Sequence, residues 1–161
     1  VGLSGKDAKL IICEQETPEL GLVGSPTDVN PEVIFTLFEN DMIPVIAPLG
    51  AGNNGETLNI NGDTVSGAIA SALKADRLLL LTDVSGVQDK NGSIITELNS
   101  TQIKNWINEG IISGGMIPKT ETALLALKGG VRGVVILDGR VPNACLLELF
   151  TEHGAGSLIR A

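Results

Sequence analysis

A chain of 161 residues is long enough to bury one domain's core and too short for two full-sized domains, and its 43% hydrophobic and 19% charged residues set it apart from disordered chains. A net charge of -8 would repel a nucleic-acid backbone, whose binding depends on neutralising phosphates with Lys and Arg, which argues against a polynucleotide partner. No apolar run reaches membrane-spanning length, and Val1-Gly2-Leu3-Ser4-Gly5-Lys6 lacks the basic and apolar regions of a signal peptide, so the sequence points to a cytoplasmic protein with no membrane partner.

In chain order, Val1-Gly2-Leu3 reads as the end of a strand entering a loop, as though more chain preceded it. A strand is expected at Lys9–Cys13. Asn30-Pro31-Glu32 opens a helix as a cap followed by Pro at the first helical position; Val33, Ile34, Leu37 and Phe38 share one face, and Asn40-Asp41 ends it. A strand at Ile43–Leu49 precedes a glycine-rich loop and a helix from about Asp63 to Leu73, whose Gly67, Ala68, Ala70 and Ala72 let it pack closely on a sheet. Arg77–Leu81 is the next strand, followed by a small hairpin over Gln88–Leu98 turning at Lys90-Asn91-Gly92. A helix capped by Ser100 carries Ile103, Trp106 and Ile107 inward, and further helices fit Ile117–Leu127 and Asn143–Phe150. Strands at Val134–Leu137 and Ser157–Ile159 complete the pattern. Cys13 and Cys145 read as small buried hydrophobes, since two cysteines make no disulfide framework.

This alternation predicts an α/β fold, a three-layer α/β/α sandwich with a mostly parallel central sheet covered on both faces. Ligands then bind beyond the carboxyl ends of the strands, in the strand-to-helix loops. Three such segments gather polar residues. In Asn59-Ile60-Asn61-Gly62-Asp63, Asn61 suits a helix N-cap and Asp63 complements the dipole of the first turn; the alternation of Asn59, Asn61 and Asp63 also allows a shared ligand. In Thr82-Asp83-Val84-Ser85-Gly86-Val87, a strand runs into turn-forming residues, which make either a plain turn or a cradle of amides for a nucleotide. In Ser113-Gly114-Gly115-Met116-Ile117-Pro118-Lys119, paired glycines lead into a helix start that attracts phosphate, and Lys119 is either an exposed lysine or an added positive charge for that anion. His153 and Gly154 suit a helix C-terminus, with Gly154 as the cap, and Glu148 is either a solvated position or a cation site. Trp106 reads as core. There is no Cys/His metal spacing, no Gly-x-Ser-x-Gly elbow and no Gly-x-x-x-x-Gly-Lys loop, so no protein-held metal is expected.

Taken in this order, Asn59-Ile60-Asn61-Gly62-Asp63, Leu81-Thr82-Asp83-Val84-Ser85-Gly86 and Gly114-Gly115-Met116-Ile117-Pro118-Lys119 resemble the acetylglutamate kinases of the amino-acid kinase family. Gly2-Leu3-Ser4-Gly5-Lys6-Asp7-Ala8, Ile136-Leu137-Asp138-Gly139-Arg140 and Leu147-Glu148-Leu149-Phe150-Thr151-Glu152-His153-Gly154 extend the likeness over the whole chain. The resemblance implies transfer of the ATP γ-phosphoryl group, with Mg²⁺, to the side-chain carboxylate of N-acetyl-L-glutamate. It implies that Asn59 contacts the acetylglutamate, Lys119 stabilises the phosphoryl in flight and Asp63 orients the catalytic lysines. ATP would be held by Asp83, Val84, Ser85, Gly86, Val87 and Gln88 together with Ile111, Ile112 and Ser113.

The tail is similar to the arginine-inhibited, oligomeric branch, which implies an arginine effector site at Glu148 and Gly154; Val135 stands where that branch usually has His. In the family, the glycine-rich phosphate loop, a second catalytic lysine and a substrate-binding arginine come from an N-terminal half. Residues 1–161 are accordingly expected to be the C-terminal nucleotide-binding domain, inactive without that half. Sibling kinases of carbamate, aspartate, glutamate or UMP share the fold, but the Gly-Gly-Met-Ile-Pro-Lys segment and the tail favour acetylglutamate. A non-catalytic half-protein that binds nucleotide or arginine is the remaining reading.

Overall fold

The predicted alternation of strands and helices is present in a computed structural model that describes residues 1–160, and its elements group into two units, Val1–Leu73 and Lys74 onward. Each unit has its own sheet and its own buried cluster.

The first unit contains β1 (Gly2–Ser4), β2 (Ile11–Gln15), β3 (Gly24–Val29), α1 (Glu32–Glu39), β4 (Val45–Ala47), β5 (Leu49–Gly52), β6 (Thr57–Asn59) and α2 (Gly62–Leu73). Its main sheet has the order β3-β2-β5-β6, with β2 and β5 parallel and both outer pairs antiparallel, while β1 and β4 form a separate parallel pair. Leu10, Ile11, Cys13, Ile34, Leu58, Ile60 and Val65 make one buried cluster, with Ile69 and Leu73 packed against it, so the apolar stripe of α2 covers this sheet. The run read as one strand over Ile43–Leu49 is split between β4 and β5 at Pro48, which has no N–H to donate to a ladder. Lys9 lies in a short 3-10 turn with φ 52° rather than in β2. Strand β3 carries Gly24 and Pro26, a composition tolerated because it is an edge strand. Asn30 Oδ1 accepts from the Glu32 N–H at 3.1 Å, the capping role expected at the start of α1.

The second unit contains β7 (Leu78–Thr82), β8 (Glu97–Asn99), α3 (Ser100–Asn108), α4 (Met116–Lys128), β9 (Val134–Asp138), α5 (Ala144–Phe150) and β10 (Gly156–Arg160). The sheet order is β7-β9-β10-β8; β7 is parallel to β9 and β8 to β10, with β9 and β10 antiparallel. All five residues of β9 are buried, the condition for a strand flanked on both sides. Four of the seven strand pairings among the described residues are parallel.

Three local expectations need correction here. The cap of α3 is Asn99, not Ser100: Asn99 Oδ1 accepts from the Gln102 N–H and the Gln102 side chain accepts from the Asn99 N–H, each at 2.9 Å, a reciprocal box that Ser100 is one residue too late to make. Gly154 does not cap α5, which ends at Phe150 with Thr151 in extended conformation. Cys145 and Trp106 are half-buried, not core, whereas Cys13 is fully buried, and both cysteines are free thiols.

At the carboxyl end of β9, the nearly buried Asp138 accepts from Arg140 Nε at 2.9 Å and Nη2 at 2.8 Å, and also from the Arg140 N–H at 2.9 Å. These side-chain bonds, then the backbone bond, pull the Asp138 pKa down to about 2 from an ordinary 3.8. A carboxylate with a depressed folded pKa stabilises the fold above its unfolded pKa, and that contribution is lost as pH falls through the folded value. Asp138→Asn is therefore expected to lower the thermal midpoint by a few degrees at neutral pH, with the gap to wild type constant above about pH 5 and closing towards about pH 2. A gap that stays the same across that range, followed by circular dichroism, would show that the charge is not what matters.

Candidate functional site

In the second unit, two chain segments separated by the β8–α3 region form one cleft of about 170 Å³. Val84, Gly86, Val87 and Gln88, from the loop after β7, form one wall; Ile111, Ile112 and Ser113, from the loop before α4, form the other, with Met116 at the start of that helix. Thus seven of the nine residues expected to hold ATP line one cleft, while Asp83 and Ser85 are exposed outside it and Met116 is an addition. The Val, Ile and Met side chains suit a flat apolar ring, and Ser113 and Gln88 supply polar atoms at its edge.

Each wall is fixed by bonds that the motifs alone do not reveal. The Trp106 carbonyl accepts from both the Ile111 and Ile112 N–H groups, at 2.9 and 3.1 Å, which anchors that loop to the end of α3. On the other wall, the Val87 N–H donates to the buried hydroxyl of Ser157 on β10 at 2.8 Å. Gly86 has φ 146°, and a Cβ there would stand 2.5 Å from Ser157 Oγ, so both conformation and space require glycine.

Helix α4 has no side-chain cap at Gly115, and Gly114 adopts φ 56°, so the chain enters the helix through a tight glycine turn. Lys119, three residues after Met116, lies on the same helix face and is half-buried. At the carboxyl ends of β7 and β9, Thr82 pairs with Asp138, and the hydrogen bonds and charge of Asp138, then the charge of Asp83, raise the pKa of Arg140. Nothing in the sequence alone shows that Arg140 folds back onto Asp138.

In the first unit, Asn61 does what its position suggests: its Oδ1 accepts from the Asp63 and Thr64 N–H groups at 2.9 and 3.3 Å, capping α2. Asp63 is half-buried in the first turn. Asn59, at the end of β6, has an exposed side chain, and its backbone N–H is committed to the Leu22 carbonyl.

A second cavity in the later unit, of about 490 Å³, is lined by Glu148, His153 and Gly154, with Arg77, Glu97 and Arg160 among its charged walls. Glu148 Oε2 accepts from the Ala155 N–H at 2.7 Å, and Gly154, whose φ of 65° favours glycine, lies where a Cβ would stand 2.6 Å from the same oxygen. Glu148 and Gly154 are therefore adjacent in space as well as in one cavity.

The sequence profile of the amino acid kinase family matches residues 1–138. Acetylglutamate kinase of Ruegeria pomeroyi is 69% identical over 160 residues, 99% of this chain and 56% of that protein, and acetylglutamate kinase of Roseobacter denitrificans is 66% identical over 161 residues, 100% of this chain and again 56% of the relative. The chain thus spans about half the length of the curated relatives it matches. Among solved structures, smu.665 from Streptococcus mutans superimposes with a TM-score of 0.81 at 34% identity, over 98% of this chain and 60% of that one. N-acetylglutamate synthase from Neisseria gonorrhoeae, complexed with coenzyme A and N-acetyl-glutamate, superimposes with a TM-score of 0.88 at 23% identity, over 98% of this chain and 37% of that one, a likeness of fold alone. With the family profile matching most of its length, the chain belongs to the amino acid kinase family.

Proposed function

We propose that this chain is the nucleotide-binding portion of a cytoplasmic acetylglutamate kinase, which transfers the γ-phosphoryl group of ATP to the side-chain carboxylate of N-acetyl-L-glutamate. The observation that carries the proposal is the single cleft walled by the loop after β7 and the loop before α4. The names and identities of the relatives supply the acceptor substrate.

In this reading the apolar walls hold the base of ATP and the polar edges orient it. The α4 N-terminus directs its amides and dipole at the phosphates. Lys119, one turn inside, stabilises charge on the phosphoryl group as it moves, Asp63 orients the catalytic lysines, and Asn59 binds the acetylglutamate. Catalysis of this kind is positioning plus electrostatics, which these residue types provide without a nucleophile of the protein's own. Among the described residues no cluster of three or more His, Cys, Asp or Glu side chains forms a metal cage. Mg²⁺ bound to the phosphates of ATP, as is usual for this ion, would neutralise their charge.

The second cavity supports an arginine effector site: Glu148 and Gly154 line it together and Glu152 adds a carboxylate for a cationic ligand, while Glu97 is paired with Arg160 at 3.5 Å. A homo-oligomer is favoured by the exposed apolar side chains of Phe35, Phe38, Met42, Ile43 and Val45 in the first unit.

Titrating the chain with ATP-Mg²⁺ is expected to give saturable binding seen by calorimetry and by a change in the fluorescence of its only tryptophan, Trp106, whose carbonyl holds one cleft wall. Absence of both signals would remove the nucleotide reading. Arginine should bind the same chain, and Glu148→Gln should weaken that binding while leaving ATP affinity unchanged; equal arginine affinity in the variant would rule out the Glu148 site. A chimera joining this chain to the remaining part of the Ruegeria pomeroyi relative is expected to form an acetylglutamate-dependent acyl phosphate, trapped as the hydroxamate. Lys119→Ala in that chimera should lower kcat by about 10²- to 10³-fold with little change in thermal midpoint. A near-normal rate would place the catalytic charge elsewhere.

A further inference from the structure

We propose that Ser157, outside the cleft, is a positioning residue that sets the shape of the nucleotide loop; this rests on the nucleotide reading of the cleft. The segment from Val87 to Ile95 is a short antiparallel hairpin: Gln88 and Ile94 face each other, the Asp89 N–H donates to the Ser93 carbonyl at 2.9 Å, and the Ile95 N–H donates to the Val87 carbonyl at 2.9 Å. In a regular ladder Val87 and Ile95 would exchange both bonds, so the Val87 N–H would donate directly to the Ile95 carbonyl. Here the Ser157 hydroxyl stands between them. It accepts from the Val87 N–H at 2.8 Å and donates to the Ile95 carbonyl at 2.6 Å.

The hydroxyl thus holds the two arms of the hairpin apart at its base and ties both to β10. Ser157 is fully buried. The consequence reaches the cleft directly, because Val87 and Gly86 are wall residues and Gly86 packs on the same hydroxyl. Without the hydroxyl, the buried Val87 N–H and the part-buried Ile95 carbonyl either lose this partner or close onto each other. Both outcomes move Val87 away from its place in the wall.

The test is on the whole chain, with Ser157→Ala, which removes the hydroxyl, and with Ser157→Cys, whose somewhat larger thiol still fills the position but weakens both bonds. Calorimetry with ATP-Mg²⁺ should show affinity reduced about tenfold in each. Amide hydrogen exchange should rise at Val87 and the hairpin base while the rest of β7, β9 and β10 keeps its protection. If the alanine variant does not fold, the cysteine variant decides. Wild-type affinity in the folded variants overturns the role of Ser157 and leaves the nucleotide cleft standing. Weakened binding with protection lost across the whole unit also overturns it, by making Ser157 a residue of general stability. Failure of the wild-type chain to bind nucleotide overturns the cleft reading itself, and Ser157's role with it.

Discussion

The second unit depends on β9 lying between β7 and β10 with every one of its residues buried. Only a run such as Val134-Val135-Ile136-Leu137 can be covered on both faces without leaving polar side chains unpaired, and the one polar member, Asp138, is matched by Arg140. The parallel register from Leu78–Val134 to Thr82–Asp138 then brings the carboxyl ends of β7 and β9 level. The loop that becomes a cleft wall starts at that edge. Its other end is held by β10, the neighbour of β9 on the opposite side.

The sequence was most legible where one residue type has one strong physical use. The glycines and small polar residues after β7 and before α4 marked both walls of the cleft, and the apolar run of β9 marked the central strand. It was least legible where a role depends on a distant partner. Strands β3, β6 and β8 carry Pro, Asn and Glu and exist because neighbouring strands pair with them, so no apolar pattern announces them. Ser157 reads as an ordinary member of a short strand, since its partners lie 62 and 70 residues away. Asn99 and Ser100 are both good caps, and only the return bond from Gln102 selects the first.

Strand β10 also explains how one short element can serve two places. Its residues alternate sides, as in any strand. Gly156, Leu158 and Arg160 line the second cavity, while Ser157 holds the hairpin base of the cleft. A ligand that pressed on Gly156 or Leu158 would act on the same backbone that fixes Val87, with no intervening helix to absorb the shift. Under the proposed function, an effector in the second cavity and a nucleotide in the cleft would be linked through β10 and the bond from Val87 to Ser157.

The charge balance sharpens what holds a nucleotide here. A chain of net charge -8 repels a polyphosphate at long range, so its general field cannot gather ATP. At physiological ionic strength that repulsion fades beyond roughly 8 Å, and the outcome is decided by groups in contact. Under the proposed function, the groups that meet phosphate are Lys119 and the amides at the start of α4, while Arg140 is matched by Asp138. If the cleft is the nucleotide site proposed above, its apolar walls have to hold the base strongly enough to offset an unfavourable field, and the shape of the Val87 wall then matters more than added positive charge.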